Sequence, residues 1–429
     1  MDGQFIGREA VAAKRKQYFY PCTQHFYRDA PQLVRGSMQH VYDENGKKYT
    51  DFFAGVSVVA CGHCNPAITE RTIEQLRRLQ HTTTVYLTEP SVLLAERLES
   101  VLPGNLRRTF FVNSGSEANE GALLLARLHT GRKGFIALES GLHGRTNLTM
   151  SVTGLSMWRT DKYLDEDVAF IRRPFDPELT LAEASEISLA DLKAVLAAKG
   201  DTIAALIAEP IQGNGGMIMP EPGYFRAVKE LLELHGILLI ADEIQTGFGR
   251  TGAMFAMEHF GVVPDIVTMA KALGNGVPVA AFAAGDEIAA SLNTPSASTF
   301  GGNPVSAATA LAVLDYIEAE RLPERAALLG ARLKAGLREL QDRYPALVAD
   351  VRGTGLMLGM ELRGAGSAES AALTDDVLED LKNQAYLVGK NGVGRNVLAF
   401  QPPLVIMEED IDGLLAALDS TLARLGAQV

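Results

Sequence analysis

ILLIADEIQTGFGRTG, residues 237–252, begins with five apolar residues, closes that run on Asp242 and passes directly into a glycine-rich turn. An unbroken apolar run of this length, bounded by turn residues, reads as a strand buried on both faces. The same texture recurs in RRTFFV (107–112), FIALES (135–140), IAALIAEP (203–210) and DIVTMA (265–270). Helical patterns lie among them: PAITERTIEQLRRLQ (66–80), EANEGALLLARLHTG (117–131) and PGYFRAVKELLELHG (222–236). Short buried strands alternating with helices predict an α/β fold around a mostly parallel sheet.

Further out the pattern changes. Toward the N-terminus, Asn45-Gly46 lies between the aromatic-containing runs of VRGSMQHVYDENGKKYTDFF (34–53), which predicts a hairpin with a primed turn. Beyond residue 305 the chain becomes rich in Ala and Leu, with long helices expected over 306–320 and 322–344. Short strands follow in 348–362, then helices around 377–387 and 409–425. The expected organisation is a large domain over 55–310 and a small α+β domain built from both chain ends, 1–54 and 311–429.

Composition narrows the function classes. The 429 residues are 47% hydrophobic and 21% charged, a globular balance. Lys and Arg total 40 against 52 Asp and Glu, a formal net charge of −12, and no basic cluster offers a footprint for nucleic acid. No apolar stretch reaches the length of a membrane helix, and residues 1–21 lack the apolar core of a secretory signal. Three cysteines suit a reducing compartment, so a cytoplasmic protein without membrane or nucleic-acid partners is expected.

Two short motifs carry little weight. Cys61-Gly62-His63-Cys64 has the spacing of a redox pair, but nothing before it resembles a small thiol-oxidoreductase unit. Gly247 to Gly252 spells G-x-G-x-x-G, yet five residues separate it from its strand and no ribose-binding acid follows at a suitable distance. A third set is more demanding. NSGSEAN (113–119) ends a strand and opens a helix, where free backbone N–H groups favour an anion such as phosphate. Asp242 ends an apolar strand, and Lys271 follows another and precedes LGNG. A lysine held in an apolar pocket is a low-pKa amine able to form a Schiff base. A phosphate cup, an acid for a ring nitrogen and a lysine for an aldehyde are together what pyridoxal phosphate requires.

With these residues in view, the sequence resembles the class III, or ω-type, aminotransferases of pyridoxal-phosphate fold type I. The likeness runs through GHCNP (62–66), NSGSEAN (113–119), HGRT (143–146), EPIQG (209–213) and ADEIQTGFGRTG (241–252). It continues through AKALGNGVP (270–278), TFGGNP (299–304), RGTGLMLG (352–359) and QPPL (401–404), in the family's order. The resemblance implies pyridoxal 5'-phosphate as cofactor and no metal. It implies that Lys271 holds the cofactor aldehyde and moves the proton, and that Asp242 pairs with the pyridinium nitrogen. Gly115 and Ser116 are implied to bind the phosphate, Ile244 to pack on one ring face and Gln245 to lie near the phenolic oxygen, with Glu209 supporting Asp242 or its loop. Thr299 is similar to the residue that completes the phosphate cup of a neighbouring subunit, which implies a homodimer.

Departures from the family pattern concern ring and substrate. Leu142 stands where an aromatic residue usually stacks on the ring, and His143 beside it is expected near the cofactor. Ala399 replaces the arginine that clamps an α-carboxylate in ornithine-type members, and Asn214 replaces a glutamate that gates it. Val56 and Ser57, in AGVSVVA, are expected on the substrate side, with Arg395 as another source of carboxylate binding. The resulting expectation is transfer of an amino group from an ω-amine or β-amino acid to a keto acid such as pyruvate or 2-oxoglutarate, by a ping-pong mechanism. The alternative is a lyase, decarboxylase or racemase built on the same site.

Overall fold

The computed structural model describes residues 5–427; residues 1–4 and 428–429, assigned to the small domain from sequence, lie outside them. Its centre is a seven-stranded sheet. The spatial order is Arg108–Val112, Ala280–Ala284, Ile266–Met269, Leu238–Asp242, Ile203–Ala208, Gly134–Leu138, Val168–Ile171. Ala280–Ala284 runs antiparallel to both neighbours, and the other pairings are parallel. Every residue of Ile203–Ala208 and Leu238–Asp242 is buried, as expected for strands covered on both faces.

Helices cover the sheet where the sequence allows close approach. Ser114 starts the helix Gly115–Thr130 by accepting the Glu117 N–H on its hydroxyl, and Gly131 ends it at φ 69°. Gly121 in that helix leaves room for Phe282, since a Cβ there would lie 2.3 Å from the ring. Phe282 in turn stacks on Phe110 of the next strand, ring centroids 5.2 Å apart. Bulk on the strand thus meets its absence on the helix, and the edge strand is pinned under the helix that carries the site.

Two smaller sheets flank the large one. The first orders Leu33–Ser37, His40–Asp43, Lys48–Asp51 and Tyr386–Leu387, so one sheet holds residues from both ends of the chain. The second joins Val348–Thr354, Met357–Leu362, Val397–Phe400 and Gly389–Asn391. Two details differ from the sequence reading. The hairpin at Asn45-Gly46 forms, but among its loop residues only Gly46 takes a positive φ (82°), so the turn is not primed. The Asp43 carboxylate accepts the Asn45 and Lys47 N–H groups at 3.0 and 2.9 Å and closes the loop in place of a second left-handed residue. The helix expected through residue 387 stops at Asn383. Ala385 turns to φ 70°, and Tyr386–Leu387 then pairs in parallel with Thr50–Asp51.

Candidate active site

The carboxyl ends of the parallel strands converge on one opening, where ligands bind in open α/β sheets. Asp242 is the last residue of its strand, Glu209 follows Ile203–Ala208, and Lys271 lies two residues after Ile266–Met269. With Gly115, Ser116, Leu142, His143, Ile244 and Gln245 they line a single cavity of about 410 Å³. Nine positions singled out from sequence, spread over more than 150 residues of chain, therefore share one site.

At one end lies the start of the Gly115–Thr130 helix. The N–H groups of Gly115 and Ser116 make no hydrogen bond within the described residues, and the Ser116 hydroxyl accepts the Arg145 N–H at 3.1 Å. A Cβ on Gly115 would meet Ile244 at 3.0 Å, so glycine keeps the backbone close to the residue lining the cavity beside it. These free donors at a helix N-terminus suit a phosphate.

Asp242 is only 3% exposed, and its carboxylate is held from three sides. Oδ2 accepts Asn119 Nδ2 at 2.8 Å and lies 2.8 Å from His143 Nδ1, while Oδ1 accepts the Ile244 N–H at 3.2 Å. Asn119 is itself fixed, since its Oδ1 accepts the Thr268 hydroxyl at 2.7 Å and its Nδ2 also donates to the His143 carbonyl. Neither Asn119 nor Thr268 is among the residues that the sequence motifs single out. The available signal was spacing, because Asn119 is four residues after Gly115 and therefore on the same helix face.

Glu209 bridges two loops, accepting the Leu142 N–H on Oε1 at 2.8 Å and the Gly213 N–H on Oε2 at 2.9 Å. Burial pushes its carboxyl up to about 7, aided by the charge of Asp242 and opposed by His143 and the two amides. Lys271 starts a short 3-10 turn at φ 47°, an uncommon conformation for a residue with a Cβ. Burial holds its ammonium below the ordinary lysine range, against the pull of Asp242 and Glu209. A larger fraction of neutral amine at a given pH is the state a nucleophilic lysine needs.

Pyridoxal phosphate fits this donor set. Gln245 Nε2 is buried without a protein partner, leaving a donor for a cofactor oxygen. Gly213 approaches so closely that a Cβ there would lie 1.8 Å from Gln245 Oε1. Leu142 and Ile244 supply apolar contact, and Lys271 the amine.

The other sequence candidates lie off this cavity within the one chain. Thr299 is exposed and lines a separate surface groove with Phe300. Val56 and Ser57 belong to an unusual turn whose successor, Val58, does line the cavity. Arg395 donates to the Lys390 carbonyl at 3.1 Å and lies over the Phe26 ring at 5.3 Å. Ala399 is fully buried in the strand Val397–Phe400, directly opposite Gly359 on one side and Gly389 on the other, and packs with Met217 and Phe53.

The two weak motifs have structural places. Cys61 is buried, which pushes its thiol up and opposes a reactive thiolate, whereas Cys64 is exposed. In the glycine-rich turn, Arg250 is fully buried and donates to the Leu356 and Pro402 carbonyls, with Gly249 and Gly252 at φ 90° and 96°. A short 3-10 turn, Ala256–Phe260, follows it, so the helix that a dinucleotide fingerprint requires is absent there.

The model of class-III aminotransferases matches residues 28–422. The chain belongs to that family. It is a pyridoxal-phosphate-dependent transaminase with the fold type I architecture. Alanine–glyoxylate aminotransferase 2 homolog 2, mitochondrial, of Arabidopsis thaliana is 40% identical over 422 residues, covering 97% of this chain and 88% of that one. An acetylornithine aminotransferase of Methanothermobacter thermautotrophicus is 41% identical, over 92% of this chain and 94% of its own. The solved structure of an Arthrobacter phospholyase in complex with phosphoethanolamine superposes with a TM-score of 0.89 at 35% identity, over 96% of this chain and 99% of that one. The transaminase has no helix among its described residues long and apolar enough to cross a membrane, and no cluster of three metal-ligating side chains.

Proposed function

We propose that this transaminase takes its amino group from an ω-amine or β-amino acid in preference to ornithine-type donors, and passes it by a ping-pong mechanism to a keto acid such as pyruvate or 2-oxoglutarate. The observation that carries the preference is the cavity wall. Lys271 is the one lysine or arginine among the lining residues, so no guanidinium of the same chain awaits a donor carboxylate. Ala399, where ornithine-type members carry their clamp, is instead packed against Met217 and Phe53.

The cofactor, when bound, supplies an aldehyde for the amino group and a ring that accepts the electron pair released at the substrate Cα. The residues do the rest. Lys271 Nζ, neutral in a larger fraction because of burial, would be the group that takes a proton from the substrate Cα and gives it back. Asp242, itself held by Asn119 and His143, would keep the proton on the cofactor's ring nitrogen. Gly115 and Ser116 would hold the cofactor's phosphate, Gln245 would donate to its phenolic oxygen, and Leu142 and Ile244 would supply apolar contact to its ring. Glu209 keeps the Leu142 and Gly213 loops in register.

The active unit in this reading is a cytoplasmic homodimer in which Thr299 of each chain completes the other's phosphate cup. Thr299 is exposed beside Phe300, and Val85, Tyr86 and Leu87 expose apolar surface that association would cover. Each chain divides into a cofactor domain, 55–310, and a small domain from 1–54 and 311–429.

The likeness to the phospholyase favours a second reading, elimination on the same site. A donor panel separates the two. Transfer predicts a change in cofactor absorbance when donor is added without acceptor, reversed by the keto acid; elimination predicts release of ammonia or phosphate without an acceptor. Ornithine as the best donor would overturn the preference. Ala399→Arg is expected to lower kcat/KM for an uncharged amine more than tenfold and to reduce Tm, because a guanidinium there enters apolar packing.

A further inference from the structure

Residues 54–57 run through the left-handed region: φ is 51° at Ala54, 62° at Gly55, 69° at Val56 and 62° at Ser57. Three of the four carry a Cβ and one is β-branched, so the run is strained at Ala54, Val56 and Ser57. Such a segment persists only where its surroundings over-determine it. Part of the support is internal. The Val56 and Ser57 N–H groups both donate to the Phe53 carbonyl at 3.0 Å, and those of Val58 and Val59 to the Ala54 carbonyl at 2.8 and 3.1 Å.

The entrance to the turn is held by one carboxylate. Asp51 Oδ1 accepts the N–H groups of Phe53 and Ala54, each at 2.8 Å, and Oδ2 accepts His63 Nε2 at 2.8 Å. Asp51 is buried, and His63 is fixed independently of it. The His63 backbone exchanges two hydrogen bonds with Met38 at 2.8 and 2.7 Å, and its side chain lies over Gly36, where a Cβ would come within 2.7 Å. The same GHCNP turn is tied to the lysine segment, since Asn275 accepts the Cys61 N–H at 2.9 Å and donates to the Gly62 carbonyl at 3.0 Å. The turn's outlet is Val58, which lines the cavity.

We propose that Asp51, braced by His63, is a positioning residue for substrate: it holds the left-handed turn 54–57 so that the turn presents Val58 to the wall of the site. The proposal rests on the transaminase reading above for what the wall faces. Asp51 is not among the cavity-lining residues, so it acts through the backbone it orders. It also opposes the charge of the buried Arg250, and a purely structural duty of that kind has to be distinguished from positioning.

The test uses the holoenzyme of Asp51→Ala, Asp51→Asn and Asp51→Ala/Ala54→Gly. In Asp51→Ala, amide hydrogen exchange over residues 54–59 is expected to quicken more than tenfold while the central sheet stays protected. KM for the amine donor should rise about tenfold, with kcat and cofactor affinity within twofold. Asp51→Asn keeps an acceptor for the turn and should recover most of the KM. Glycine at 54, at ease at positive φ, should recover at least threefold of what Asp51→Ala loses. Unchanged exchange at 54–59 overturns the proposal, as does a KM that stays normal in a folded Asp51→Ala. Parallel loss of KM and cofactor affinity, with no repair by glycine, overturns it in favour of the structural duty toward Arg250. If Asp51→Ala fails to fold, the same comparisons are read from Asp51→Ala/Ala54→Gly against Ala54→Gly alone. A wild type that accepts no amine donor overturns the donor reading, while the exchange measurement still decides the clamp.

Discussion

Asn119 Nδ2 reaches Asp242 Oδ2 at 2.8 Å and donates from the same nitrogen to the His143 carbonyl at 2.7 Å. One buried amide thus aligns the strand-end carboxylate and the loop that carries His143. Because His143 Nδ1 lies on the same Oδ2, that oxygen is already engaged by the protein. Oδ1 has only the Ile244 amide, at 3.2 Å, and keeps accepting capacity free.

Asn119→Ala removes both donations at a fully buried position. A buried acceptor left short of a partner costs about 1–3 kcal/mol. The expected result is a Tm several degrees lower and cofactor affinity weakened about tenfold, read by thermal melts of apo-protein and holoenzyme and by titration with pyridoxal phosphate.

Leu142→Phe restores an aromatic face at the cavity wall. Aromatic pairs contribute about 1 kcal/mol beyond area burial, so cofactor dissociation should slow and affinity should rise about fivefold. Equilibrium dialysis measures it. No gain would mean that the backbone at Leu142, tethered to Glu209 at 2.8 Å, does not present position 142 to the ring.

The contribution of Glu209 and Glu243 to apo-protein stability should fall as pH rises from 5 toward 7. Burial pushes both Glu209 and Glu243 up to about 7, so across that range the folded chain binds protons that the unfolded chain has released. Folding is then favoured at the acid end, and the contribution is lost as pH rises through the folded pKa. Glu209→Gln and Glu243→Gln should each flatten the slope of Tm against pH between 5 and 7. An unchanged slope in both would show that neither carboxyl titrates there.

Cys61→Ser with Cys64→Ser should leave transfer rates within twofold of wild type. Cys61 is buried with its thiol pushed up, the reverse of what disulfide exchange requires. Abolished turnover in a folded variant would assign the pair a redox role.

Much of the site was legible before folding was considered. Asp242 and Lys271 each end an apolar run of buried-strand length, and NSGSEAN has the composition of a helix start with free amides. These signals are local, and local signals survive in one dimension. The primed turn at Asn45-Gly46 was misread because the Asp43 carboxylate, not a second left-handed residue, closes the loop. The helix end at Asn383 was missed because the pairing that stops it lies more than 300 residues away, at Thr50–Asp51.

The alternation of buried strands and helices, the family motifs in order, and Lys271, Asp242, Gly115 and Ser116 as candidates for one site are all readable along the chain. Those follow from hydrophobic period, turn chemistry and residue type, which neighbouring residues carry. That Asn119 and Thr268 support Asp242, that Ala399 packs with Met217 and Phe53, and that Asp51 caps a left-handed turn at the cavity's edge emerge from the folded arrangement. Each of these depends on a hydrogen bond or van der Waals contact whose reach is a few ångströms in space, between groups set by the meeting of separate elements.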